Sequence, residues 1–220
     1  MLCWSEHMKR TFRNFKIQRT CTKKLKPYAK YKEYLQEDFH SRCAYCNLLD
    51  TAITTPFEVD HFIPRDAFKD EWPELDTTYE NLVYACKKCN IAKGKQYQGN
   101  IYKGLIENEL FYDPEKTDYD EIFYRDDIGS ICSDDIKGRD MINRIKLYRP
   151  IHNLAWLCEK LNDTCKKLDA QIEMIGKNSE RGKLLNEAKL ELKSYYSDCL
   201  EVFIANYNNN AYVMKVDGEN

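Results

Sequence analysis

Two short cysteine pairs limit this chain more than any other feature. Cys43-Ala44-Tyr45-Cys46 and Cys86-Lys87-Lys88-Cys89 are both C-x-x-C, and their inner cysteines stand forty positions apart. Each knuckle lets two thiolates reach one ion, so the two together close a tetrahedral site of the kind that zinc occupies. A redox pair or plain buried thiols are the competing readings, and two matched knuckles favour zinc. Four sulfurs leave no open coordination position, so such an ion is structural and chemistry has to come from other residues. The separation exceeds that of a short zinc finger, so the ion ties together the ends of an inserted unit. The other six of the ten cysteines are scattered singly, which argues against a disulfide framework.

Around the knuckles the pattern is mixed, and the expected fold class is α+β. From Pro27, PYAKYKEYLQEDF has a helical period that puts Tyr28, Tyr31, Leu35 and Phe39 on one face. TTPFEVDHFI reads as a strand or hairpin, PRDAFKDEWPELDTTYEN as a loop, and NLVYACKKCNIAKGK as a short strand running into a helix. EIFYRDDIGSICSDD reads as a hairpin turning near Ile128-Gly129-Ser130. Beyond Pro150, Leu154, Leu161, Leu168 and Ile175 recur every seven residues beside Cys158, Cys165 and Ile172. A second stripe holds Leu185, Leu192 and Cys199, flanked by Ala188 and Phe203, and Gly176-Lys177-Asn178-Ser179 breaks the pattern between them. Two antiparallel helices are expected there, with the tail NNNAYVMKVDGEN frayed. The implied layout is a basic arm and helix over 1–39, a zinc-bound module over 40–104, an acidic connecting region with a hairpin over 105–149 and a helical region over 150–220.

Between and just past the knuckles stand Asp60, His61, Asn81 and Asn90. Neighbouring side chains on a strand point to opposite faces, so Asp60 and His61 cannot both serve one apolar core. Phosphodiester hydrolysis needs an activated water, a divalent cation to neutralise developing charge, and positive groups to hold the strand. A carboxylate and an amide oxygen suit Mg²⁺, and a neutral imidazole suits the base near pH 7. Singly, each residue has a plain structural reading: an Asp-His dipeptide in a capped turn, Asn81 in a turn, Asn90 as a helix cap. Their occurrence in order around two knuckles is what no packing rule demands.

CAYC, EVDHFIPR, ENLVYACKKCN and the following IAKGK, over about residues 40–96, resemble the HNH endonucleases of the ββα-metal (His-Me finger) class, in the subgroup with a tying zinc. The resemblance implies a zinc-tied ββα-metal module with flanking helices and a C-terminal helical hairpin. It further implies that His61 is the general base, that Asp60 and Asn90 hold a catalytic Mg²⁺ or Mn²⁺, and that Asn81 fixes the loop that orients His61. The third motif position holds Asn90 rather than histidine, which favours a hard cation bound through an amide oxygen. Arg65, Lys93 and Lys95 would face phosphate. DNA is the family's usual substrate. Zinc-bearing HNH proteins with helical extensions resemble nucleases of restriction and anti-phage defence, a resemblance that implies a protein partner such as an ATPase. A zinc-ribbon module that binds nucleic acid without cleaving it is the alternative function.

Charge is unevenly spread. Residues 1–35 carry ten lysines and arginines against two acids, whereas residues 107–140 carry twelve acids against four bases. The arm, with Phe12, Phe15, Tyr28 and Tyr31 interleaved, suits a polyanion; equally, the two segments are solvated faces or pair with each other. No stretch has the length and apolarity to cross a bilayer, and MLCWSEHMKRTFRNFK lacks the apolar run of a secretory signal, so a cytoplasmic protein is expected. The apolar stripes beyond residue 150 carry no ligand set; they would serve packing, a homodimer or a protein partner.

Overall fold

The computed structural model describes residues 8–54, 56–101 and 107–209. The tail from residue 210 on, the boundary drawn at residue 104 and the first seven residues of the stretch read for a signal lie outside them. The chain divides into two compact units, Met1–Tyr148 and Arg149–Asn220, so the arm, the cysteine-bearing module and the acidic region form one body. No helix among the described residues is long and apolar enough to cross a membrane.

The first unit is built from β1 (Arg10–Thr11), α1 (Lys32–Asp38), β2 (Glu58–His61), α2 (Arg65–Phe68), β3 (Leu82–Ala85), α3 (Lys87–Lys93), α4 (Tyr119–Ile122), β4 (Tyr124–Arg125), β5 (Ile131–Cys132) and α5 (Ile136–Ile145). Its centre is the antiparallel pair of β2 and β3, in which Glu58 faces Ala85, Asp60 faces Val83 and His61 faces Leu82. All four residues of β3 are buried, as expected of an apolar run covered on both faces. Cys86 caps α3 with extended backbone, so the second knuckle is the junction of strand and helix. The first knuckle is a tight turn after α1, closed by Cys43 N–H donating to Leu48 O at 2.9 Å and Asn47 N–H to Cys43 O at 3.0 Å. Ala44 N–H donates to Tyr84 O at 2.7 Å and docks that turn on β3.

The helix expected from Pro27 begins as a 3-10 turn, Tyr28–Tyr31, and continues as α1; Tyr31, Leu35 and Phe39 are buried. The loop between β2 and β3 contains α2 and the 3-10 turns Pro73–Asp76 and Tyr79–Asn81. Helix α5 has no counterpart in the sequence reading. Asp135 caps its start by accepting from Gly138 N–H at 2.7 Å, and Met141, Ile142 and Ile145 fill its buried face, a short stripe diluted by charged neighbours. The hairpin falls where expected, with β4 pairing β5 and Gly129 at a φ of +81°.

The arm and the acidic segment pair with each other, which corrects the reading of the whole arm as a surface for a polyanion. β1 pairs antiparallel with β4, giving a sheet ordered β1-β4-β5. Lys9 pairs with Asp134, Arg10 with Asp127 at 3.2 Å, Lys16 with Asp118 at 3.6 Å and Arg19 with Glu115 at 2.7 Å. The Asp120 carboxylate accepts from the backbone N–H groups of Phe12, Arg13 and Asn14 at 2.7, 2.8 and 2.9 Å. Two guanidiniums then brace the first knuckle from behind. Arg13, buried, donates to Ala44 O and to Pro114 O at 3.1 Å, while Arg125 donates to Cys46 O at 3.1 Å and Gly129 O at 2.7 Å.

The second unit is a hairpin of α6 (Pro150–Ile175) and α7 (Glu180–Asn209). Gly176, at a φ of +87°, ends α6 within the expected break. Of the two adjacent stripes on α6, the row that is buried is Cys158, Cys165 and Ile172, while Leu154, Leu161 and Leu168 lie at its half-buried margin and Ile175 is exposed. The Cys158 and Cys199 sulfurs lie 3.2 Å apart across the pair.

Candidate metal and hydrolytic site

The four knuckle thiols meet. Their sulfurs all lie within 4.8 Å of one another and all four residues are buried, which fits a structural zinc ion of the tetrahedral, all-sulfur type. At Cys43, burial alone would push the thiol up, but hydrogen bonds from Cys46, Cys86 and Cys89 outweigh it and hold the group well below the ordinary thiol range. Hydrogen bonding to Cys43 pushes the Cys86 thiol up and burial pushes the Cys89 thiol up, so it is at Cys43 that the tetrad favours a thiolate, the species that binds metal.

The period of β2 sends Glu58 and Asp60 to one face and His61 to the other. Asp60, 7% exposed, accepts from the Tyr45 hydroxyl at 2.6 Å on one oxygen and from Lys93 Nζ at 3.0 Å on the other. Burial and the nearby carboxylate push the Tyr45 phenol well above its usual range, so it stays a donor. Lys93 has no exposed surface, and its Nζ also donates to the His61 carbonyl at 2.7 Å. The expectation that Lys93 faces phosphate is corrected: Lys93 lies on the last turn of α3, whose inner side covers β2, so its ammonium turns inward to the acid. Asn90, one turn earlier, donates to Glu58 Oε2 at 2.7 Å. Asp60 and Asn90 are thus both engaged, each with a different partner.

On the opposite face, His61 Nε2 lies 3.0 Å from the Asp76 carbonyl and 3.3 Å from Asp76 Oδ1. A carbonyl oxygen accepts only, so Nε2 carries the proton and Nδ1 keeps the lone pair. Nδ1 has no hydrogen-bond partner among the described residues. Burial lowers the His61 pKa from the ordinary histidine value, against the opposing pull of Asp76 and Asp60, so the ring is neutral at pH 7. Tyr28 meets it edge-on at 4.7 Å between centroids and Phe68 at 5.8 Å.

Asn81 is fully buried and uses its whole amide on the loop. Its Oδ1 accepts from Ile63 N–H at 2.8 Å, and its Nδ2 donates to Ile63 O at 3.3 Å and Leu75 O at 3.2 Å. This clamps the segment after His61 to the segment before Asp76, the two that fix the ring. Arg65 is exposed, 2.9 Å from Asp76 Oδ1, and Lys95 is exposed and paired with Asp66. The sequence reading missed Glu58, Tyr45 and Asp76. Glu58 was within reach, since two residues before Asp60 on a strand means the same face; Tyr45 and Asp76 come together with the site through tertiary contacts, for which the sequence gives no local signal.

The donors fit a hard divalent cation. Glu58 and Asp60 supply carboxylate oxygens with remaining lone pairs, and Asn90 keeps its Oδ1 while Nδ2 is used.

Residues 43–96 match the family model described as HNH endonuclease. The chain is 38% identical over 69 residues to the Septu protein PtuB of Bacillus thuringiensis, a match covering 31% of this chain and 24% of that protein. The chain therefore spans about a quarter of the relative's length in that match. No solved structure matches it.

Proposed function

From the HNH endonuclease domain at residues 43–96, we propose that the chain is a metal-dependent DNA endonuclease acting in defence or restriction. The observation that carries the reading is the fixed, neutral His61, whose Nε2–H is committed to the Asp76 carbonyl. Its Nδ1 takes a proton from water, and the water attacks phosphorus in line with the leaving 3′ oxygen, giving a 5′-phosphate and a 3′-hydroxyl. The Asp76 carboxylate, 3.3 Å from Nε2, stabilises the imidazolium as it forms. Asn81 keeps the ring in place through its loop. Asp60 and Asn90, joined by Glu58, would hold Mg²⁺ or Mn²⁺, which when bound neutralises charge on the phosphate and the leaving oxygen. Arg65 and Lys95, both exposed, are the groups from the motif that contact phosphate, exchanging their Asp76 and Asp66 partners for it. Lys93 instead keeps Asp60 in place.

The Septu relative supports the defence reading. The helical hairpin leaves Met174, Leu184, Leu190 and Tyr195 exposed, apolar side chains that a second copy or a protein partner such as an ATPase would cover. A four-thiol metal site needs reduced cysteines, which suits a cytoplasmic setting.

Plasmid incubated with the chain and Mg²⁺ or Mn²⁺ tests the reading. Nicking or linearisation is expected, reduced about 10²–10⁴-fold by His61→Ala without loss of fold. Cleavage should fall as pH drops through the lowered His61 pKa, because the base works unprotonated, and should level off above it. Equal cleavage by both proteins overturns His61 as base; binding of intact plasmid by both selects a zinc-ribbon binding module.

A further inference from the structure

The cations of the arm fall into two groups. As far as Arg19 they are used internally: Lys9, Arg10, Lys16 and Arg19 meet carboxylates of the acidic segment, and Arg13 is buried on backbone carbonyls. Beyond it, Lys23, Lys24, Lys26 and Lys30 are exposed, and none of them forms an ion pair among the described residues. Four like charges within eight positions repel one another unless an anion joins them.

This lysine segment is held in place. Tyr31, buried and stacked on Tyr79 at 4.7 Å, accepts at its hydroxyl from Leu25 N–H at 2.9 Å and donates to Lys23 O at 3.2 Å. Tyr28, between Lys26 and Lys30, lies against the His61 ring, and the Arg65 guanidinium stands 5.9 Å from the same tyrosine. The unneutralised cations therefore sit on a part of the arm that reaches the hydrolytic site, with Arg65 beyond Tyr28.

We propose that Lys23, Lys24, Lys26 and Lys30 form a phosphate-binding rail that holds the backbone of the DNA strand where it meets His61, continued by Arg65 across Tyr28. The proposal rests on the nuclease reading for its orientation toward His61. Point charges on flexible stems bind phosphates without reading bases, so the rail contributes affinity and position rather than sequence preference. Each lysine–phosphate contact adds about 0.9 to the salt slope of binding.

The test uses the full chain carrying His61→Ala, so that binding is read without cleavage, and a fluorescent duplex oligonucleotide titrated at several salt concentrations. Adding Lys26→Glu and Lys30→Glu should weaken binding by about tenfold or more and lower the salt slope by roughly 1.8. The reversal pair Lys167→Glu and Lys183→Glu, exposed in the helical unit, should change little. Equal losses from both pairs, unchanged binding in the first, or no binding by the parent overturns the rail. In the His61-intact chain the Lys26/Lys30 reversal should raise KM more than it lowers kcat. Lysine-dependent binding without cleavage by the intact chain would keep the rail and refute the nuclease reading; cleavage indifferent to the reversal would do the opposite.

Discussion

The two units hold their shape by different means. In the first, strands of two to four residues and helices of four to ten enclose buried polar groups, among them Arg13, Asp60, His61, Asn81, Lys93 and Arg125. In the second, two helices of 26 and 30 residues bury a row of small and apolar side chains, with Arg149 and His152 the buried polar groups at its start. A two-stranded pair is marginal by itself, whereas long helices gain a hydrogen bond with each residue added and need only one apolar seam. The difference teaches that the first unit is organised by point constraints, a thiol tetrad and a few buried ion–dipole contacts, which are also what hold a reactive site rigid. The second is organised by a repeating pattern.

The largest break between them should come from one thiol. Cys86→Ser removes a ligand from the tetrad, and structural zinc in small modules contributes about 10–16 kcal/mol of coupled folding energy. The first unit should lose its bound zinc and its cooperative melt, while the far-UV helical signal of α6 and α7 persists. A mutant that still melts cooperatively, with no zinc bound in either protein, would show that the tetrad is merely a cluster of buried thiols.

A smaller break lies inside the first unit. Lys93→Met strips the buried Asp60 carboxylate of its counter-charge, leaving the Tyr45 hydroxyl as its side-chain donor among the described residues. Removing one partner of a buried pair costs about 3–5 kcal/mol. The loss should appear as a lower denaturant midpoint for that unit, partly restored by adding Asp60→Asn, because the double variant buries no lone charge. If the single and double variants are equally destabilised, Lys93 matters for packing rather than for charge.

These contrasts also explain what the sequence made legible. The knuckles, Asp60, His61, Asn81 and the helical stripes could be read because each is a local spacing or period. Glu58 was legible by the same strand period and was passed over. The pairing of arm and acidic segment stood as one of several options, because net charge says which segments attract and not whether they meet. Lys93 pointed the wrong way in the reading because a lysine two residues before another lysine looks like surface; its direction is set by the packing of α3 on β2. Tyr45 and Asp76 depend on contacts fifteen positions along the chain from the residues they serve.

The helical unit offers the mildest test of the comparison. Ile172 is 2% exposed in the buried row of α6, and Ile172→Ala should cost about 2–4 kcal/mol through lost burial and the cavity left behind. Hydrogen exchange of α6 and α7 amides reads that loss directly. Plasmid cleavage should stay unchanged if the seam serves the hairpin alone, since no residue assigned to hydrolysis lies beyond Tyr148. A parallel fall in cleavage, with zinc content and the first unit's melt intact, would mean that the hairpin does more than pack: its integrity would then be a requirement of the reaction, met through a second copy or a partner gripping that surface.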